Sequence, residues 1–373
     1  MHATGVNLLT TLIVLITIVS LAGQTRGAVL FAYETTLELD AGAGGRIHPT
    51  HVSSDPLSGE ICVTDVRQST LHVVGSRHVP LFRTGPFAGI SWPASGCVDP
   101  DGTLVFTDAG SDRNFAIRRL DIFGEPAPFA PESPLEGWSP RLVTILAGGD
   151  YLSLDQANAV LARHDRTSGR LVWWLRVGDP AARDTQLDRP AEGPDGTIYV
   201  PGGDQRRVFV VTADGRPAGD FGEFGSAPGR MVLPVGVGFG PQSTILVLDR
   251  MRAKILVFGP DHRFQSEFGS LGARPGQFYH PAALASTPDG RLYVAQGFLG
   301  RVQVFRVFSS EDEDAEKSAG SAAAQGVARI ALGGSAAGRA ATRPDGFRAD
   351  GSASGPQIAV VPAADRSPEP EAE

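Results

Sequence analysis

His48, Trp92 and His280 each stand immediately before a proline, and Trp138 and Tyr279 stand two residues before one. Histidine is a metal ligand and a proton carrier near neutral pH. Tryptophan and tyrosine are the side chains that protein interfaces use as anchors. Aspartates recur at 65, 108, 155 and 249, which in a radial fold would form a ring of carboxylates. Cys62 and Cys97 are the only cysteines, and Glu311–Glu316 is an acidic run. The chemistry on offer is therefore zinc at the histidines, calcium at the acids, a disulfide, or aromatic docking. Zinc needs three or four ligands, and no third accompanies His48 and His280. The acidic run lacks the turn glycine of a calcium loop and reads as a solvated charge run. No cofactor is expected; zinc and calcium are the ions these residues could take. The aspartates also fit a structural role, since a short acceptor at a strand end caps the N–H groups of the following turn. P-loop, nucleophile-elbow, haem-attachment and HExxH motifs are absent from the sequence.

These residues gain meaning from the elements that must position them. Pro49, Pro93, Pro140, Pro234 and Pro281 share a phase, with Leu187 filling the gap, at steps of 44, 47, 47, 47 and 47. Fifteen or sixteen residues on comes Asp65, Asp108, Asp155, Gly202, Asp249 or Gln296, always preceded by a β-rich burst such as ICVTD or ILVLD and followed by another such as LHVV or ILVF. Pro-Asp-Gly turns separate the first two strands at Asp99, Gly193 and Thr287. Outer strands are read at Arg216 and Arg263. Six copies of a four-stranded unit, none able to bury both faces alone, predict an all-β, six-bladed β-propeller of antiparallel blades. The sixth copy lacks its fourth strand before Phe308, while FAYETTL at Phe31 lies in phase to supply it. The N-terminal strand is expected to close the ring, which removes exposed sheet edges. On closure His48 and His280 belong to neighbouring blades.

Three segments follow. Residues 1–28 read as a signal peptide or membrane anchor, a hydrophobic N-terminal helix with no charge between Ala3 and Thr25. Residues 29–308 form the propeller. Residues 309–373, rich in alanine, glycine and acid, are expected to be a disordered low-complexity tail. Cys62 falls where other copies have apolar residues and Cys97 where others have small ones, so packing and a disulfide both stay open. The net charge of −8 argues against a nucleic-acid partner.

Blades five and six, GSLGARPGQFYHPAALASTPDGRLYVAQGFLGRVQVF, resemble the NHL-repeat family in Gly-Gln-Phe, the proline, Asp-Gly, the Tyr-Val-Ala strand and the Arg-Val that follows. A basic residue before the third strand recurs as Arg113, Arg207, Lys254 and Arg301 and is expected to bridge or stack between blades. The resemblance covers residues 29–308 and implies a six-bladed propeller, most often a platform for protein or RNA and in a few members an enzyme. A similar amidating-lyase propeller carries zinc histidines just after the phase marker. Here Thr50, Ala94, Arg141, Asp188, Val235 and Ala282 stand there, so that set is not carried over. The expected function is an exported or membrane-anchored, extracytoplasmic protein-binding platform. Carbohydrate or a small molecule is the other class of ligand, and metal-assisted lyase or hydrolase chemistry in the central channel the other reading. Membrane contact is expected only through the N-terminal segment. His48, Trp92, Trp138, Tyr279 and His280 are the candidate binding face.

Overall fold

The Pro-Asp-Gly turns work because their glycines take backbone that other residues resist. Gly102, Gly196 and Gly290 have φ of 86°, 81° and 81°, and each donates its N–H to the carbonyl three residues back, on Asp99, Gly193 and Thr287. Each turn reverses an inner strand into a second one. The computed structural model describes residues 27–40, 42, 45–178, 186–311 and 358–359.

The strands assemble into six antiparallel blades, five of four strands and the sixth of four with the two-residue Ile358–Ala359 added at its edge. Blade one holds Pro49–Ser54, Ile61–Asp65, Thr70–Val74 and Pro80–Thr84, and blade two Pro93–Val98, Leu104–Ala109, Phe115–Leu120 and Pro126–Ala127. Blade three holds Leu142–Ile145, Tyr151–Asp155, Val160–His164 and Leu171–Arg176, and blade four Ala191–Glu192, Ile198–Gly202, Arg207–Val211 and Pro217–Phe221. Blade five holds Pro234–Phe239, Ile245–Asp249, Lys254–Phe258 and Phe264–Phe268. Blade six takes Ala283–Ser286, Arg291–Gln296 and Arg301–Ser309 from the C-terminal side and Val29–Thr36 from the N-terminal side. That last strand pairs antiparallel with its neighbour from Val29↔Ser309 to Thr36↔Gln303. The front of the chain thus completes the rear blade, as the phase of Phe31 required.

Burial follows the blades. Six apolar clusters lie one at each blade–blade junction. The closing junction joins Val52, Ile61 and Val63 of blade one to Ala285, Tyr293 and Val304 of blade six. Phe31 stacks on Phe268 at 4.4 Å between ring centres, tying the N-terminal strand to blade five as well. The inner and second strands are buried almost throughout, while the outer strands show a solvent-facing edge.

Antiparallel order gives the disc two faces. Loops that lead into the inner strands, and the turns between second and third strands, lie on one face, here the upper. Pro-Asp-Gly turns and those before the outer strands lie on the lower.

Cys62 and Cys97 are both buried and free. Cys62 packs in the cluster between blades one and two and Cys97 in that between blades two and three, so their side chains serve opposite faces of the second blade. Burial pushes the Cys62 thiol up to about 12 and raises Cys97 as well, which keeps both protonated and inert.

Three of the recurring basic residues find partners close by. Lys254 pairs with Glu267 and Arg207 with Asp220, both on the outer strand of their own blade. Arg301 donates to the carbonyls of Ala273 and Gln277 in the loop feeding blade six. Lys254 and Arg207 reach their own outer strand before they reach the next sheet.

The leader of residues 1–28 falls outside the described residues except for Gly27 and Ala28. Among the described residues no helix is long and apolar enough to cross a membrane. Of the C-terminal tail, Ser309–Glu311 continue from the last strand, with Ser310 N–H donating to the Ala28 carbonyl. Ile358–Ala359 pairs antiparallel with Ala32 and Phe31. The rest of the tail lies outside the described residues.

Candidate functional site

The repeated aspartates resolve first. Asp65 accepts the N–H groups of Arg67 and Gln68 in the turn after it and of His48 in the loop before the inner strand. Asp108 accepts Ser91 and Trp92, and Asp155 accepts Ser139 and Asn158. Asp249 accepts Val232, Leu233, Met251 and Arg252. Asp65, Asp155 and Asp249 therefore each pin two loops of the upper face together, while Asp108 holds the preceding loop and pairs with Arg118 of its own blade at 2.7 Å. The turn half of this role is legible in the sequence. The link to the preceding loop is not, because it spans sixteen or seventeen residues.

His48, Trp92 and Trp138 sit on the loops held by Asp65, Asp108 and Asp155, and Tyr279 and His280 on the loop whose Tyr279 N–H is accepted by Gln296 at 3.1 Å. Trp92 is 57% exposed and Tyr279 41%. Tyr279 and His280 meet edge to face at 4.8 Å, and His280 lies 5.2 Å from the ring of Phe298, itself 66% exposed. His280 holds φ at 44°, a left-handed conformation that turns its ring toward these neighbours. His48 Nδ1 is 3.1 Å from the carbonyl of Gly297, the residue before Phe298. Closure thus brings His48, Tyr279 and His280 to one place through a short turn of blade six, and Phe298 joins them. Trp138 stays apart: it tilts against the buried His164 at 5.2 Å and packs into the cluster between blades two and three. Trp92 stands alone on the loop before blade two. Phe298 was missed because it lies between the second and third strands, outside the loops that precede the prolines.

The channel is lined differently. At its upper end stand Arg141, Asp188 and Arg250, the last donating to the Pro281 and Ala282 carbonyls. Burial pushes the Asp188 carboxyl up to about 6, although Arg250, the Arg189 N–H at 2.8 Å, Arg141 and the Arg189 side chain all favour its charged form. Deeper, His51 is buried with neither ring nitrogen bonded, and burial followed by the Arg189 charge lowers its pKa. Arg189 reaches from blade four across the axis, donating from Nη1 to the Val52 carbonyl at 2.7 Å and from Nη2 to Thr144 Oγ1 at 3.1 Å. Comparing the copies two residues after the phase marker would have exposed both: His51 and Arg189 stand where the others have Ser95, Leu142, Gly236 and Ala283. Below Arg189 a cavity of about 600 Å³ opens at the lower mouth, lined by Ser54, Thr144, Glu192, Phe239 and Asp289 among others. No group of three His, Cys, Asp or Glu is placed to hold a metal among the described residues.

Asp188 gives a pH prediction. Unfolded, it ionises near 3.8; folded, near 6. Between these values the native state binds more protons, so this group's contribution falls as pH rises from about 4 to 6. The ceiling is about 3 kcal/mol, reduced because part of the side chain meets solvent. The buried histidines 51, 72 and 164 act oppositely: burial lowers their folded pKa values, so stability is lost as pH drops below the unfolded value of 6.5. Asp188→Asn should leave the melting temperature at pH 4 unchanged and raise it at pH 7. Calorimetry at both pH values checks this; a shift of equal size at each contradicts it.

No protein-family model matches the chain, and no curated protein does. Solved structures do. A catalytically inactive virginiamycin B lyase from Staphylococcus aureus, determined with quinupristin, superposes with a TM-score of 0.51 at 15% identity, over 73% of this chain and 83% of that one. An auxiliary nutrient binding protein from Bacteroides thetaiotaomicron gives 0.55 at 12%, over 76% and 77%. A Bacteroides thetaiotaomicron protein of unknown function gives 0.56 at 10%, over the same shares. The likeness shows the fold, a six-bladed β-propeller, and nothing of its chemistry.

Proposed function

We propose that this chain is an NHL-like propeller whose upper face docks a polypeptide partner. The exposed cluster of Tyr279, His280 and Phe298, adjoined by His48, carries the reading. Its rings have apolar bodies, and Tyr279 and His280 add polar edges, the composition of interface anchors. Phe87, Trp92 and Met251 add exposed apolar area on the same face. The loops bearing these groups are held by buried acceptors, Asp65 for His48 and Gln296 for Tyr279, so little ordering entropy is lost on binding. The apolar leader favours work outside the cytoplasm, with the N-terminal segment as export signal or anchor. Neighbours of this fold include a lyase and a nutrient-binding protein, which is consistent with ligand capture by varied loops on a constant frame.

The test uses peptides selected from a displayed random library against the full propeller. They should bind Tyr279→Ala/Phe298→Ala at least tenfold more weakly, a change of about 1.4 kcal/mol or more. They should bind Phe123→Ala, altered at an exposed residue of the lower face, as they bind the parent. Unchanged affinity for the double variant would sink the proposal.

A further inference from the structure

We infer that the cavity at the lower mouth of the channel takes a small monocarboxylate with an apolar body, its carboxylate received by the Arg189 guanidinium. The site is distinct from the upper face and independent of any docking there.

Arg189 is the starting point. It is 9% exposed, and its two bonds to Val52 and Thr144 use two of the five N–H donors of a guanidinium. Its Nε is buried without a partner. Among the described residues no carboxylate makes an ion pair with it: Asp188, next in sequence, spends Oδ1 on the Arg189 backbone N–H. Both acceptors it does have are neutral. A buried guanidinium without an anion is costly, and removing one partner of such a pair characteristically costs several kcal/mol. Burial accordingly pushes the Arg189 pKa down to about 10. A ligand carboxylate would complete the set, because the planar fork of donors matches its two oxygens.

The space below that charge is equally specific. The cavity of about 600 Å³ falls within the range of small-molecule sites. Its walls include Ile145, Val237, Phe239, Ala285 and Val307, which suit a hydrocarbon or aromatic body. At the rim, Glu192 accepts the Ala147 N–H at 2.5 Å and Asp289 pairs with Arg291. These acids disfavour a second negative charge on the ligand, which restricts the class to monoanions. The same chemistry is offered by a free organic acid and by the C-terminus of an apolar peptide.

Calorimetric titration of the full chain at pH 7 decides the matter. Benzoate and hexanoate should bind saturably, and benzamide and hexanamide, their neutral isosteres, at least tenfold more weakly. Arg189→Gln should abolish the preference for the acids. Ala147→Trp, at an exposed rim position that leaves the guanidinium intact, should abolish binding altogether while preserving the ligand-free melt. This second variant covers the case in which Arg189→Gln fails to fold. Acetyl-Leu-Phe with a free C-terminus, compared with its amide, separates the sources: binding by this acid as well as by benzoate assigns the site to both, and binding by benzoate alone assigns it to free acids. Equal affinity for acids and amides, or no binding of any acid up to about 10 mM, overturns the inference.

Discussion

A chain lacking residues 29–39 will lose the cooperative melt of the full propeller. Those residues supply the outer strand of blade six, and with them go Val29, Leu30, Phe31 and Leu37, all buried. At about 2 kcal/mol per large apolar side chain, their transfer alone contributes about 8 kcal/mol. A whole domain is stable by only about 5–15 kcal/mol. The loss also bares the ladder edge of Arg301–Ser309 and unseats Phe268, against which Phe31 stacks. Damage here spreads to both neighbours, because Phe31 packs in the cluster shared with blade five and Leu37 in the cluster shared with blade one. The expected result is a broad, early transition by circular dichroism; an unchanged melting temperature would contradict the closure. A permuted chain supplies the rescue. Val29 pairs with Ser309, and Ser310 N–H reaches the Ala28 carbonyl at 2.9 Å, so the segment can follow residue 311 as an ordinary hairpin. Moving residues 27–39 there, with the new N-terminus at residue 45, should restore the melt. Phe31→Ala, a smaller cut at the same place, should cost about 3–5 kcal/mol.

That closure was legible because it follows from phase, and phase survives substitution. The proline spacing located the inner strands, and the position of Phe31 located the missing one. Pro217–Phe221 and Phe264–Phe268 fell where the outer strands were read. Contacts that depend on side-chain reach were not legible in the same way. Lys254 could have met a neighbouring blade, and only the geometry of blade five shows that Glu267 lies nearer. Arg189 escaped attention because a lone arginine among small residues looks like surface charge until the channel encloses it. His51 is the same case: its strand is ordinary, and its isolation comes from burial. The upper-face cluster was half visible. His48, Tyr279 and His280 share the loops before the prolines, whereas Phe298 enters from another turn and Trp138 is claimed by packing against His164. Repetition reveals the frame, and departures from it mark the places where chemistry is concentrated, but which departures meet in space depends on distances the repeat does not encode.

Asp249→Ala should destabilise the propeller by about 4 kcal/mol. The side chain is fully buried, and its two oxygens take four backbone N–H groups: Val232 at 2.6 Å and Leu233 at 3.2 Å on one side, Met251 and Arg252 at 3.0 Å on the other. An unsatisfied buried donor costs about 1–3 kcal/mol, and the turn-side pair can recover part of that from water. Asp249→Asn keeps one oxygen and sets an NH2 against the other pair of donors, so about 2 kcal/mol or more should still be lost. Gln296, which holds the same place in blade six, makes the comparison. Its Oε1 accepts the Tyr279 N–H at 3.1 Å while its Nε2 has no partner, so Gln296→Ala should cost less than Asp249→Ala. Chemical denaturation of the three variants measures the series. Its sign also separates the two readings of the repeated aspartates. Carboxylates gathered to hold an ion repel one another without it, and replacing one by alanine in metal-free buffer would stabilise the protein. Carboxylates that each pin two loops do not interact, and every such replacement weakens the fold whether or not a metal is supplied.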